Sequence, residues 1–446
     1  MSTLIAFALF IAAMLTSLVT GINMIFAILF GLVLFTLLGL HRGFTLRRLW
    51  TMAWAQGKKV LIVLRIFLFI GAITALWRSC GTIAFFIYYG IRVITPPVFI
   101  LVAFLLTALI SFALGTSFGV ISTAGIILMA LARSGGVSEL VTAGAILSGA
   151  YFGDRCSPAS SSASLVAAVT ETELYANLHA MLKTGALPLF VTLAIYTVLS
   201  VRHPIVAVDE EMLRALASAF RISIWALLPA VLMLLLPLFK VPIRHAMGWS
   251  VVSALLITLL VQHMGCWEAA KTIVLGYTPA DSQMAHIVSG GGLISMWKPA
   301  VIVFTTSLYA GILEGTGILL PLQEQLEKLA GKWGLFGTMT AVSLLCGTVL
   351  CNQTIVVMLS EQMLSDVYGK KGASREELAI DIENTGILLS AAIPWNIACS
   401  IPLAMLGVGP AAIPYAVLLF VTPLCYGLTK KHFYPSRRPA QKERTA

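Results

Sequence analysis

Asp154 and Arg155 are the only charged residues between positions 140 and 170. Around them the chain reads Gly149-Ala150-Tyr151-Phe152-Gly153-Asp154-Arg155-Cys156-Ser157-Pro158, followed by Ser160, Ser161 and Ser162. A charge in so apolar a stretch costs free energy unless it faces a cavity or a partner. Gly153 and Pro158 weaken a helix around themselves, and a broken helix frees backbone carbonyls toward a lined cavity. One carboxylate, several hydroxyls and free carbonyls form an all-oxygen shell, which suits a hard cation. Asp154 is therefore the expected ligand for Na⁺, with Ser157, Ser160 and Ser161 beside it. A buried carboxylate can also hold a proton, so one group could carry either ion in turn. The competing reading pairs Asp154 with Arg155, or with another arginine at a helix end.

Other polar groups stand in similarly apolar surroundings. Gly115-Thr116-Ser117-Phe118-Gly119 lies inside forty uncharged residues, 93–132 apart from Arg92 and Arg133 at its borders. Thr116, Ser117, Ser122 and Thr123 either line a pathway or sit where small residues let helices approach. The same five residues fit the G-x-S-x-G hydrolase pattern, which needs a preceding strand and a later acid and histidine; only His179 is near in sequence. In the second half, Asn352, Gln353 and Thr354 interrupt an apolar run, and Glu383-Asn384 precedes Ser390 and Ile393-Pro394-Trp395-Asn396. Buried amides need partners, so Asn352, Gln353 and Asn396 either line the site or tie helices together. Glu314 is a further candidate, or a helix-end residue in water. Arg65, Arg78 and Arg92 read as helix-end side chains that snorkel.

The elements that position these groups must be membrane helices. Hydrophobic residues make up 59% and charged residues 11% of the 446, and mean hydropathy is +0.95. A soluble domain could not cover that composition with a polar surface. Residues 4–40, 93–132, 333–360 and 384–429 carry no charged residue. A span takes about 20 apolar residues, so the expected fold is an all-α polytopic membrane protein of about 10–12 transmembrane helices. The net charge of +10 comes from cations set between apolar runs, not gathered on a soluble face, so nucleic acid is not an expected partner; the lipid bilayer is. Arg42, Arg47 and Arg48 follow the second run, and Lys430, Lys431, Arg437, Arg438, Lys442 and Arg444 fill the end. Cytoplasmic loops are enriched in such residues, which puts both termini in the cytoplasm of a cell-membrane protein. Met1-Ser2-Thr3 does not read as the start of a cleaved signal peptide. The seven cysteines carry no CxxC pair and read as packing residues.

The expected organisation is a first membrane half (1–201), a polar connector (202–221), a second half (222–429) and a basic tail (430–446). A second charged loop is expected from Glu361 to Asp381. The halves echo one another. Gly115-Thr116-Ser117 matches Gly347-Thr348-Val349 at a separation of 232 (347 − 115), and Pro158 matches Pro394 at 236 (394 − 158). Lys58 and Lys298 open similar apolar runs 240 apart (298 − 58). Weak internal symmetry of this kind marks transporters built from structural repeats.

Gly115-Thr116-Ser117, Gly153-Asp154-Arg155 with Ser157-Pro158, and Glu383 with Ile393-Pro394-Trp395-Asn396 resemble the NhaC family of sodium/proton antiporters. The likeness covers about residues 115–200 and 347–408. It implies two inverted repeats whose discontinuous helices meet near the bilayer midplane, and exchange driven by a Na⁺ or H⁺ gradient, with no cofactor beyond those coupling ions. The chain departs from the family where Ser161 replaces a usual aspartate and Asn384 a frequent acid. Relatives in the wider circle move carboxylates or amino acids. The leading expectation is Na⁺/H⁺ antiport by alternating access; the alternative is Na⁺- or H⁺-coupled movement of a small carboxylate or amino acid. The partner is a small ion or small-molecule substrate, a homodimer is the oligomer this reading allows, and no enzymatic role is expected.

Overall fold

Inside a bilayer every backbone N–H and C=O must be satisfied within the protein, which leaves uninterrupted apolar runs little choice but helix. The computed structural model describes residues 3–93, 96–158, 160–204, 210–239, 241–279, 289–317 and 323–434. Among these, regular structure is helical apart from one isolated bridge between Tyr277 and Gly290. The helices run α1 (Thr3–Thr20), α2 (Met24–His41), α3 (Leu46–Ser79), α4 (Thr82–Val93), α5 (Phe99–Leu114), α6 (Ser117–Ser134), α7 (Glu139–Cys156), α8 (Ser161–Val169) and α9 (Leu174–Arg202). The second half continues with α10 (Glu210–Ala219), α11 (Leu228–Leu238), α12 (Ile243–Leu260), α13 (Cys266–Leu275), α14 (Trp297–Thr316), α15 (Gln323–Leu350) and α16 (Gln353–Lys370). It closes with α17 (Arg375–Ile382, continued by a π-helical turn Glu383–Ile387 and Leu388–Ser390), α18 (Ile397–Leu406) and α19 (Val417–Phe433).

Five of these segments are long and apolar enough to cross a membrane: Met24–His41, Ser117–Ser134, Leu174–Arg202, Leu293–Thr316 and Leu326–Leu350. A sixth unit is the pair Phe67–Ser79 and Thr82–Tyr89, bent by 58°. Five shorter apolar helices accompany them, so the expected 10–12 is reached only when these are counted. The chain is an all-α, polytopic membrane protein.

The charged loop expected at Glu361–Asp381 is instead a tight helical hairpin. Glu361 lies within α16, the turn is confined to residues 371–374, and Asp381 is fully buried in α17. Ser374 caps α17 by accepting from Glu377 N at 3.2 Å, which starts a helix where composition alone suggested a loop. Lys430 is likewise not tail but part of α19; residues 435–446, with Arg437, Arg438, Lys442 and Arg444, lie outside the described residues. So do Asp209 in the connector and the side chain of Arg92.

Gly149 and Gly153 form a small-xxx-small face on α7. A Cβ at Gly149 would run into Thr107 and the Phe104 carbonyl, and one at Gly153 into Ser111 and Phe112 of α5. The expectation that Gly153 weakens its helix is therefore corrected. α7 continues through it to Cys156, and the glycine lets α5 and α7 approach.

Backbone landmarks of the two halves coincide in register. The left-handed residues Gly81, Gly115, Gly136 and Glu171 have left-handed counterparts at Gly317, Cys351, Gly372 and Gly407. The N-caps Thr116, Ser138 and Ser160 have N-cap counterparts at Asn352, Ser374 and Asn396. Every pair is 236 apart (for example 352 − 116 and 396 − 160). The match of Gly115 to Gly347 is thus out of register by four residues, about one helical turn: Cys351 adopts φ 56° in the place of Gly115. Lys58 lies well inside α3 while Lys298 begins α14, so that pair does not mark equivalent helix starts.

Candidate functional site

α5 ends at Gly115, whose left-handed backbone turns the chain, and Thr116 then caps α6 by accepting from Gly119 N at 3.3 Å. α7 ends at Cys156, Ser157 is extended, and Ser160 caps α8 by accepting from Ser162 N and Ala163 N, both at 3.1 Å. Two helix N-termini therefore open beside the last turn of α7. Such N-termini present unpaired N–H groups and favour negative charge.

Asp154 fills that position. Its Oδ1 accepts from Ser160 Oγ at 3.0 Å, and its Oδ2 from Ser117 Oγ at 3.2 Å and Ser162 Oγ at 3.3 Å. Only 4% of Asp154 is exposed. The carboxylate thus joins both breaks of the first half through three hydroxyls. Arg155, its neighbour in sequence, donates from Nη2 to the Met181 carbonyl at 3.3 Å. Among the described residues no ion pair joins Asp154 to Arg155, so the salt-bridge alternative is not the arrangement adopted.

The other candidates divide. Ser157 is buried at the break. Ser161 is exposed at the start of α8, and Ser162 supplies the hydroxyl next to Asp154 instead. Ser122 and Thr123 donate to the Gly119 carbonyl, at 3.0 and 2.8 Å, within the π-helical turn of α6. Asn352 caps α16, accepting from Thr354 N at 3.0 Å, and Gln353 donates to the Ile387 carbonyl at 2.9 Å. Asn396 caps α18 and donates to the Gly347 carbonyl at 2.9 Å. With Trp395 Nε1 on the Thr348 carbonyl and Ile397 N on the Cys351 carbonyl, the second half's breaks are sealed against each other by backbone acceptors. Glu314 sits exposed at the end of α14 and meets Gln56. Arg65 is exposed but lies in the middle of α3, not at a helix end, so that expectation is corrected for it; Arg78, in the last turn of α3, turns back to the Thr74 carbonyl. Ser117 follows a helix, not a strand, and its hydroxyl is engaged by Asp154.

The halves interlock at the site. Tyr151 on α7 donates to the Ala398 carbonyl on α18 at 2.6 Å. A Cβ at Gly125 in α6 would touch Leu406 of α18. Glu383, fully buried in the π-helical turn of α17, lies within electrostatic reach of both Arg155 and Asp154.

Residues 1–165 and 149–428 match the Na⁺/H⁺ antiporter family. The chain belongs to that family. The transporter is 28% identical over 376 residues to the malate-2H⁺/Na⁺-lactate antiporter of Bacillus subtilis, covering 82% of this chain and 80% of the relative. It is 28% identical to the arginine/ornithine antiporter ArcD of Halobacterium salinarum, over 78% of this chain and 74% of that one. It is 25% identical to the Na⁺/H⁺ antiporter NhaC of Alkalihalophilus pseudofirmus, over 79% and 78%. The resemblance drawn from Asp154, Ser157-Pro158 and Asn396 is therefore upheld.

A second polar cluster in the transporter escaped sequence reasoning. Asp381, fully buried, accepts from Tyr426 Oη at 2.9 Å and also from Tyr368 Oη and Lys430 Nζ. Lys430 pairs further with Glu377 at 2.8 Å and lies over the Phe336 and Tyr368 rings. Asp381 was hidden within a supposed loop and Lys430 within a supposed tail. The signal available was helical: Glu377 and Asp381 are four residues apart, on one face.

Proposed function

We propose that the chain exchanges Na⁺ for H⁺ by alternating access, with Asp154 as the group that takes either ion. The observation that carries this is the buried Asp154 carboxylate, bound by hydroxyls from two helix breaks and not neutralised by Arg155. The oxygens of Asp154, Ser117, Ser160 and Ser162 are the donor type a hard cation takes. When Na⁺ arrives the three hydroxyls turn their lone pairs to it; when it leaves, a proton neutralises the carboxylate. Thr116, Asn352, Ser160 and Asn396 hold the four half-helix starts around this point, as discontinuous helices do in carriers.

The 236-residue register supports two structural repeats joined by the connector at residues 202–221; that they are inverted across the membrane is what the family resemblance implies. In this reading the protein lies in the cell membrane with both termini cytoplasmic and assembles as a homodimer. The test is Na⁺-driven proton movement in sealed proteoliposomes. Asp154→Asn is expected to insert and fold yet lose coupled flux at least 100-fold; retained flux in that variant would remove Asp154 from the mechanism. A second reading, coupled exchange of a small carboxylate or amino acid, is favoured by the buried Arg155 and Glu383 and by two of the relatives' activities.

A further inference from the structure

α15 is interrupted at Gly334, whose backbone is non-helical at φ 75°. Charged residues of α15 precede this break and an uncharged run follows it. A cavity of about 660 Å³ opens there, walled by residues 333–337 of α15, the 371–374 turn and the last turns of α19. A second cavity of about 530 Å³ lies between α15 and α19. The two share Phe336, Gly337 and Gly427, so they adjoin. Their linings differ in kind. The first holds Lys371, Lys430, Lys431 and Glu377. The second is apolar except for Thr340, whose hydroxyl is spent on the Phe336 carbonyl at 2.9 Å. From Gly337 to Leu344 the groove follows α15 for seven residues (344 − 337), about 10 Å of helix. Its α19 wall is uncovered: Leu424 is 67% and Leu428 86% exposed.

Charge selects the occupant. Glu377 is committed to Lys430 at 2.8 Å, and Lys430 also bonds the fully buried Asp381. Lys371 and Lys431 are exposed, and among the described residues no ion pair engages either. The rim of the first cavity therefore carries two uncompensated cations. The chain after Tyr434 holds Arg437, Arg438, Lys442 and Arg444, so like charge opposes its own tail as the occupant. A free inorganic anion meets the lysines and leaves the groove bare, and a plain hydrocarbon does the reverse. Trp333, 57% exposed, and Tyr434 line the same cavity. Such amphipathic rings gather at the membrane–water interface, which sets the lysines at headgroup depth. Basic pockets between membrane helices are the kind that hold lipid head groups.

We propose that the two adjoining cavities form one binding site for an anionic phospholipid. The phosphate meets Lys371 and Lys431 at the rim, and an acyl chain lies along Thr340 and Leu344 of α15 against Phe420 and Leu424 of α19. Lys430 forms the floor and ties the site to Asp381 of α17, the helix whose π-helical turn begins at Glu383. A bound lipid thus bridges α15, the α16–α17 turn and α19, and stabilises the folded protein by mass action.

The test is lipid binding to the purified full-length protein in neutral detergent, counted by native mass spectrometry and by the shift in the unfolding midpoint. The probes are phosphatidylglycerol, phosphatidylcholine with the same acyl chains, glycerophosphoglycerol (the same headgroup without chains) and inorganic phosphate. Phosphatidylglycerol is expected to bind roughly 10-fold or more tightly than phosphatidylcholine and to raise the midpoint, while the two water-soluble probes do neither. Lys371→Gln combined with Lys431→Gln is expected to remove that preference. Arg47→Gln combined with Lys183→Gln deletes the same charge at exposed positions elsewhere and is expected to keep it. An equal loss in both double variants would assign the preference to net charge and overturn the site. Equal binding of phosphatidylcholine, or a preference untouched in the Lys371 and Lys431 variant, overturns it too. Equal stabilisation by the headgroup alone would make this a plain anion pocket and also sink the proposal. So would a change of oligomeric state in the lysine variant with lipid binding unchanged, which assigns the face to a second copy of the chain. Should the double variant fail to fold, Lys431→Gln alone is set against Arg47→Gln alone on the same lipid panel.

Discussion

Ser160 has two duties at once: its Oγ donates to Asp154 and accepts two backbone N–H groups at the start of α8. Removing it with Ser160→Ala deletes a cap worth about 1 kcal/mol. It also deletes a hydrogen bond to a charged group worth about 1.5–3 kcal/mol. At about 1.4 kcal/mol per decade, Na⁺ affinity is expected to fall roughly 10- to 100-fold, measured as the Na⁺ concentration giving half-maximal proton flux. Ser161→Ala, at an exposed position without an Asp154 contact, is expected to change that value less than twofold. The pair separates the site geometry from mere serine content. Asp154, Ser117 and Ser160 were legible in the sequence because charge and hydroxyls stand out in apolar surroundings. That Ser162 and not Ser161 faces Asp154 was not legible. It depends on where α8 starts, and that start is set by the Ser160 cap.

α7 is positioned by glycines on one side and by a single tyrosine on another. Gly149 and Gly153 admit α5, and the Tyr196 hydroxyl of α9 bonds Ser148 Oγ at 2.7 Å and the Tyr415 carbonyl at 2.9 Å. Gly149→Leu is expected to separate α5 from α7 and abolish ion-dependent thermal stabilisation, because the obstructing atoms are Thr107 and backbone, which cannot yield cheaply. At the other end of the second half, Lys430→Met leaves Asp381 buried without its cation. Breaking a buried pair from one side costs about 3–5 kcal/mol, so the unfolding midpoint in detergent should fall markedly. Adding Asp381→Leu to Lys430→Met should restore most of it; a further fall would show that the cluster's value lies elsewhere than in charge pairing. Helix existence was legible from the long apolar runs, and the breaks from Pro158 and Pro394. The α16–α17 hairpin was not, since its charges read as loop. Several of them are used inside the protein, as Asp381 and Glu377 show.

Across the whole molecule the informative quantity is register. Sequence likeness suggested separations of 232, 236 and 240, but seven backbone landmarks agree on 236 alone. Residue identity drifts between the halves, as Gly115 against Cys351 and Ser160 against Asn396 show, while the turns and caps they form do not. The chemistry has also become one-sided. Asp154 has Ser390 as its counterpart (390 − 154 = 236), and that hydroxyl bonds the Gly386 carbonyl. Two similar frameworks thus carry one acid near the breaks of the first half and a different acid, Glu383, two turns earlier in the equivalent helix of the second. The proposed mechanism stands on the first of these: Asp154 exchanges Na⁺ for H⁺. Proton flux in sealed proteoliposomes, followed with a pH-sensitive dye after addition of Na⁺ alone, tests it most directly. A Na⁺-dependent proton movement is expected in the wild type and its loss in Asp154→Asn. Silence toward Na⁺ in the wild type, or the same signal in the variant, would contradict it.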